Sequence, residues 1–332
     1  MKDVANLVGV SVSTVSYALN SSSKVSPQMR TKIQQVANEL HYHKNGAASD
    51  LKRNKTNTIV LILSDIAGPF FSEFVKGVQH VTLANGYDLV ACSSLGGENS
   101  TAAKFVKEKR SEGAIVFTHN ISDGLLEEAA RKRFPVVVVD RTLNFENIVS
   151  VTVDNIHGGY LATEYLIQQG HREIAYVGGA INSLDNKDRY KGYQKALQEY
   201  QIQPYMKTVL SGRFNEEGGY NAAKMMMLQG SLPSAVFFAN DEMAVGGMRA
   251  FAEGGVRVPD EISVIGYDDI ALARYSSPPL TTIHQPKYEM GTLAAHVLFR
   301  VLAGEQTESK YQLNAEIVVR HSCKPMGGRG EV

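Results

Sequence analysis

Seven short apolar runs, rich in β-branched residues, punctuate the chain from residue 58 onward. They are TIVLIL (58–63), DLVAC (88–92), AIVFT (114–118), VVVVD (136–140), IAYVG (174–178), AVFFA (235–239) and ISVIG (262–266). None alternates apolar with polar residues as a half-exposed strand does. Continuous runs suit strands covered on both faces, and such strands are parallel, with a crossover helix between each pair. Stretches with helical spacing do separate them, in two blocks that meet near Val153. The pattern predicts an α/β body of two doubly wound parallel-sheet lobes, in which ligands bind beyond the carboxyl ends of the strands. A chain of 332 residues is too long for one core, and 43% hydrophobic with 20% charged residues is ordinary for a globular protein.

The first 57 residues have another texture. Val4, Ala5 and Val8 follow helical spacing until Gly9 breaks it. Ser11 can cap a second helix whose buried side is Val15, Ala18 and Leu19. Small Ala5 lets two helices cross closely, Gly9 permits a tight turn and Val10 fills the corner. This spacing predicts a small all-α head, a helix-turn-helix whose second helix is available for a DNA major groove. Ser26-Pro27 opens a third helix running to about Leu40, with Val25, Met29, Ile33, Val36, Ala37 and Leu40 as its apolar stripe. The second helix is crowded with Ser and Thr, which are mediocre helix formers. Val12, Ser13, Ser16 and Tyr17 face away from its apolar side. Short hydroxyls there approach phosphates and base edges, and a valine can meet a thymine methyl. With Thr14 and Asn20 they are the candidate reading surface. The same spacing also suits a purely structural helix pair, so charge has to decide.

Residues 1–58 hold eight Lys or Arg against three acids, whereas the whole chain holds 34 of each. A basic head on a mildly acidic body points to a polyanion as the partner of the head alone. The stretch HKNGAASDLKRNKTN (43–57) reads as a linker. On DNA, residues 45–52 are expected to form a short helix that presses Leu51 between base pairs from the minor groove, with Asn45, Ala48 and Lys52 beside it.

DVANLVGVSVSTVSYALN, KVSPQMRTKIQQVANELHY and the small-residue hinge together resemble the lactose-repressor/galactose-repressor (LacI/GalR) family of bacterial transcription regulators. The similarity runs along almost the whole chain, through NDEMAVGGMRAF, IGYDD and PPLTTIHQP. It implies base-reading roles for Val12, Ser13 and Tyr17 and the hinge-leucine role for Leu51. Tyr17 stands where many members carry arginine, the commonest reader of guanine, which alters the operator that can be read. Tyr42-His43-Lys44-Asn45 stands where many carry Tyr-x-Pro-Asn, which leaves the approach to the hinge less rigid.

The resemblance also implies an effector pocket lined by Phe70, Phe71, Asp140, Arg141, Arg189, Phe214, Asp241 and Asp268. These residues, and Asn240 with them, stand just beyond strand ends or in the loops and helix starts that follow. Carboxylates and guanidinium groups hydrogen-bond vicinal hydroxyls, and aromatic faces cover sugar rings. Read singly, Phe70 and Phe71 suit a core, Asp140 and Asp241 suit helix caps and Arg189 suits a surface ion pair.

The expected organisation is a helix-turn-helix domain over 1–43, a hinge over 44–57, and a periplasmic-binding-protein-like effector and dimerisation domain over 58–332. One lobe takes 58–153 and 285–309, the other 154–284 and 310–332, and three crossings join them as a hinged clamshell. The expected function is repression of carbohydrate-utilisation genes by a homodimer on a near-palindromic double-stranded operator, controlled by a sugar-type effector between the lobes. A nucleobase, a phosphorylated metabolite or a protein corepressor stays open as the controlling partner. A free sugar-binding protein is the alternative outside this class. No G-x-G-x-x-G turn, nucleophile elbow or metal-spaced His/Cys cluster stands out, so neither an enzyme nor a cofactor is expected. The absence of a bilayer-length apolar run or an export signal, with Cys92 and Cys323 as the only cysteines, predicts a cytoplasmic protein without a disulfide framework. No heptad pattern follows the last strand, so no coiled-coil tail is expected.

Overall fold

A computed structural model describes every residue except 20–23, 43–54, 181–182, 206–208 and 327–332. The chain divides into two compact units, Met1–Thr56 and Asn57–Val332.

The first unit is built on α1 (Lys2–Val8), α2 (Val12–Leu19) and α3 (Pro27–Glu39). Gly9 ends α1 at φ 79°, a left-handed conformation that costs a glycine nothing, and its N–H donates to Ala5 O at 2.9 Å. The Ser11 hydroxyl accepts from Thr14 N and caps α2, and Ser26 caps α3 ahead of Pro27. Val4, Ala5, Val8, Val15, Ala18, Val25, Ile33 and Ala37 close a small core. Leu40, expected in the apolar stripe, is exposed, because α3 stops at Glu39 and the chain leaves helical phase there.

The second unit holds two six-stranded sheets. The first contains β1 (Thr58–Leu63), β2 (Asp88–Ser93), β3 (Gly113–Phe117), β4 (Val136–Val139), β5 (Ile148–Val153) and β11 (Lys310–Leu313), in the order β11-β5-β4-β3-β1-β2, all parallel. The second contains β6 (Ile174–Gly178), β7 (Val209–Ser211), β8 (Ala235–Phe238), β9 (Ser263–Asp268), β10 (Thr281–His284) and β12 (Glu316–Val318), in the order β12-β10-β9-β8-β6-β7. All its pairs are parallel except β12 on β10.

Strand β1 shows why these runs are continuous. Ile59, Leu61 and Leu63 enter one core and Val60 and Ile62 the other, each at most 1% exposed. Each such burial stabilises the fold by roughly 1.5–3 kcal/mol. The helices of the first lobe are α4 (Phe71–Ala84), α5 (Thr101–Lys107), α6 (Asp123–Arg131) and α12 (Lys287–Leu302). Those of the second are α7 (Asn155–Gln168), α8 (Leu184–Glu199), α9 (Glu216–Leu228), α10 (Asp241–Glu253) and the short α11 (Ala271–Tyr275). Among the described residues, no helix is long and apolar enough to cross a membrane.

Strand β5 is absent from the seven expected runs because Ser150 and Thr152 break its apolar pattern. Ser150 is nonetheless fully buried, its hydroxyl accepting from Leu143 N at 3.1 Å. The chain passes between lobes after β5, after β10 and after β11. The last passage corrects the expected lobe boundary. Lys310–Leu313 pairs with Ser150–Val153 in the first sheet, so the returning segment of the first lobe extends to Leu313 rather than 309. Parallel pairing with β5 holds those residues until the chain turns into β12.

Candidate functional site

On α2, the side chains of Val12, Ser13 and Tyr17 are exposed, while Thr14 and Ser16 are half-buried. Ser11 and Thr14 hydroxyls lie 2.8 Å apart, so Thr14 braces the helix start, and the Lys24 ammonium sits 5.0 Å from the Tyr17 ring centroid. A tyrosine with a cation over its ring presents a polar, positively biased surface to an anion. Asn20, Asn45, Ala48, Leu51 and Lys52 lie outside the described residues.

The carboxyl ends of both sheets of the second unit face a cavity of about 450 Å³, within the range of small-molecule sites. From the first lobe come Ser64 and Asp65 after β1, Phe70 and Phe71 at the start of α4, Phe117, Thr118 and His119 at the end of β3, and Asp140 after β4. From the second come Asp185 and Arg189 on α8, Arg213, Phe214 and Asn215 ahead of α9, Asn240 and Glu242 at the start of α10, and Asp268 ending β9.

The first wall is largely aromatic. Phe70, Phe71 and Phe117 meet edge to face at centroid separations of 5.3–5.7 Å, and Phe74 backs Phe117 at 5.0 Å. The second wall is centred on Arg189, which is buried. Its Nε donates to Asn155 Oδ1 at 2.9 Å and its Nη1 to Ala239 O at 2.6 Å, with Asp268 Oδ1 3.4 Å from Nη1. The guanidinium lies 3.8 Å from the Tyr267 ring centroid. Gly158 and Gly159 make that stacking possible. A Cβ on Gly158 would sit 2.2 Å from the Tyr267 hydroxyl, and one on Gly159 would sit 2.2 Å from Arg189 O. The Asn240 side chain does not reach outward. Its Oδ1 caps Met243 N and its Nδ2 donates to Phe214 O, so it fixes the Phe214 loop.

Backbone strain collects at this cavity. Asp140, Arg213, Phe214 and Asp268 have φ of 55°, 56°, 61° and 111°, and Asp269 follows at 51°. Each such residue costs roughly 1–3 kcal/mol and persists where surrounding structure imposes it.

The electrostatics are lopsided. Five carboxylates line the cavity against two guanidinium groups. Asp140 is buried, its Oδ1 has no hydrogen-bond partner, and its carboxyl is held well above the ordinary aspartate range by burial first and by the Asp185 charge next. Burial, then Asp268, pushes Glu242 up to about 6. Asp268 is also raised by burial, against the opposing pull of Arg189 and Lys287.

Two expected lining residues are turned away, which corrects the sequence reading. Arg141 donates from Nη1 to Ile121 O and to Asp123 Oδ1, each at 3.0 Å, between the end of β3 and the start of α6. Asp241 is fully buried beneath β9 and β10, its Oδ1 accepting from Thr282 Oγ1 at 2.5 Å and its Oδ2 from Ile270 N at 2.9 Å. Each is the sequence neighbour of a lining residue, Asp140 or Asn240, and the pattern of runs does not tell the two neighbours apart. The residues missed were Ser64, Asp65, Gly68, the Phe117–His119 strand end, Asp185, Arg213, Asn215 and Glu242. Asp185 carried a usable signal, standing four residues before Arg189 on the same helix face.

Comparison with known proteins agrees with this arrangement. Residues 1–45 match the model of bacterial regulatory proteins of the lacI family, and residues 163–323 match that of the periplasmic binding protein-like domain. The HTH-type transcriptional repressor PurR of Histophilus somni (strain 129Pt) is 34% identical over 330 residues, 98% of this chain and 99% of that protein. The lac repressor dimer bound to operator and the anti-inducer ONPF superposes with a TM-score of 0.77 at 29% identity, covering 97% of this chain and 98% of that one. The transcriptional regulator CelR in complex with cellobiose gives 0.72 at 30% identity, covering 96% and 98%. An α2 surface presented for DNA and a two-lobed cavity thus occur together in one chain, which belongs to the lacI family of bacterial regulatory proteins and is a DNA-binding transcriptional repressor.

Proposed function

We propose that this repressor is cytoplasmic, binds a near-palindromic operator as a homodimer, and is controlled by a neutral, hydroxyl-rich carbohydrate held between its lobes. Val12, Ser13 and Tyr17 would read bases and Leu51 would open the minor groove between the two half-sites. Residues 1–43 would read the operator, 44–57 link the units, and 58–332 bind effector and partner.

One observation carries the effector reading: acidic side chains from both lobes outnumber guanidinium groups, and the buried Asp140 Oδ1 has no hydrogen-bond partner. Acceptors in excess call for a ligand that brings donors, and hydroxyl groups on a ring supply several at once. The phenylalanines offer apolar faces for the ring itself. A phosphorylated metabolite would meet net negative charge at short range and is disfavoured. A neutral nucleobase is the second reading. It is favoured by the PurR name of the relative and by Phe214 standing opposite the aromatic wall.

Fluorescence anisotropy of the full chain on a palindromic operator pool, at fixed salt, tests this. Neutral mono- and disaccharides, cellobiose among them, purine bases and phosphorylated sugars are titrated in turn. A several-fold change in operator affinity with a neutral sugar is the expected result. A response to purine bases alone would transfer the site to the second reading, and a response to phosphorylated sugars alone would contradict both.

A further inference from the structure

Lys287 is the first residue of α12 and is 1% exposed. Helix physics argues against it there on two counts. A cation in the first turn opposes the helix dipole, and a buried ammonium loses its hydration. What surrounds it supplies the compensation. Its Nζ donates to Asp268 O, to Asp269 O at 3.2 Å and to Gln285 O at 3.4 Å, and the Glu73 carboxylate lies 3.6 Å away.

These partners come from both sides of the lobe boundary. Asp268 ends β9 in the second lobe and Asp269 follows it, and their consecutive positive φ angles turn both carbonyls toward the ammonium. Glu73 lies in the first turn of α4, two residues beyond the cavity-lining Phe71, in the first lobe. Lys287 itself stands where the chain passes from β10 into the first lobe. The carboxylate of the same Asp268 faces the cavity, held by Gln285 Nε2 at 2.7 Å and Arg189. The Asp269 carboxylate faces the other way and is met by Arg320, His284 and the more distant Arg274. The strained two-aspartate turn is therefore clamped from the cavity side, from the outer side and, through its carbonyls, from the opposite lobe.

We infer that Lys287 is a positioning residue that pins the two lobes together behind the cavity, holding the Asp268–Asp269 turn so that the Asp268 carboxylate lines the site. The inference does not depend on which effector binds. If the first lobe moves against the second, the ammonium must give up either the carbonyls or Glu73, so lobe motion and the aim of Asp268 are linked.

Hydrogen–deuterium exchange of the full chain, without effector, tests this in Lys287→Met. Exchange is expected to quicken about tenfold in peptides covering 267–275 of the second lobe and also in those covering 70–78 of the first. The head and the β6–β8 core should stay unchanged. A residue that merely packs the start of α12 would loosen 286–291 alone, and that pattern, or no change, overturns the inference. Glu73→Gln removes the half-buried partner and leaves the core intact, so it decides the matter if Lys287→Met fails to fold. Exchange two- to threefold faster over 267–275 is expected, and an unaltered rate there overturns the inference.

Discussion

The first lobe meets the cavity with three phenylalanines packed edge to face, whereas the second meets it with a buried arginine locked between an amide, a carbonyl and a carboxylate. The contrast follows from what stands beyond each sheet. In the first lobe, Phe117 ends β3 and the Phe70-Phe71 pair starts α4, so apolar side chains cap the core they grow from. In the second lobe, Arg189 projects from the second turn of α8 across the ends of β8 and β9, where the buried Ala239 carbonyl and Asp268 meet it. An aromatic wall adapts to a ring with little directional demand, while a clamped charged wall demands particular donors and acceptors. Shape would come from one lobe and orientation from the other.

Substitutions on the two walls should therefore separate stability from ligand response. The largest effect is expected for Arg189→Met, which leaves the buried Asp268 without its guanidinium. Breaking such a pair costs about 3–5 kcal/mol, to be read from urea unfolding, and a loss under about 1 kcal/mol would show that the second wall is not clamped. Asp241→Ala, behind that wall, should cost about 2 kcal/mol by stranding the Thr282 hydroxyl and Ile270 N–H. Effector affinity should stay within about threefold (on the order of 0.6 kcal/mol) of the parent, and an abolished response would return Asp241 to the cavity. On the aromatic wall, Phe71→Ala removes a half-buried ring and should cost only about 1 kcal/mol in the same assay. Its effector affinity should nonetheless fall about tenfold, the reverse of the Asp241 pattern. The smallest effect concerns Glu242, whose folded-state pKa is raised to about 6 from an ordinary 4.5. Folding is therefore favoured while the carboxyl is protonated, and that advantage disappears as pH climbs through 6. Glu242→Gln should raise stability at pH 8 by about 1 kcal/mol, after discounting for solvent screening, and by nothing below pH 4.5. Thermal melts across that range read the difference.

The fold was largely legible because β-branched runs such as 58–63 announce strands buried on both faces. It was less legible where buried hydroxyls interrupt the run, as Ser150 does in β5, or where a partly exposed edge strand carries no apolar run, as KYQL does in β11. At the cavity, strand ends such as Asp140 and Asp268 could be found from the pattern of runs alone. Which of two adjacent polar residues lines the cavity could not: Asn240 does so while holding the Phe214 loop, and Asp241, one position on, is bonded to Thr282 and Ile270. Asp65 and Arg213 escaped because each lies in a loop with no period to read. Lys287 escaped because nothing local explains a buried lysine in a first turn. Only the meeting of both lobes accounts for it.

The acid-rich cavity can be tested most directly by calorimetric titration of the full chain with matched pairs, each neutral sugar against its own phosphate ester. Binding of at least one neutral member, with its ester bound tenfold or more weakly, is the expected outcome. Tighter binding of the esters would contradict the assignment of five carboxylates to the ligand-facing surface and, with it, the neutral effector.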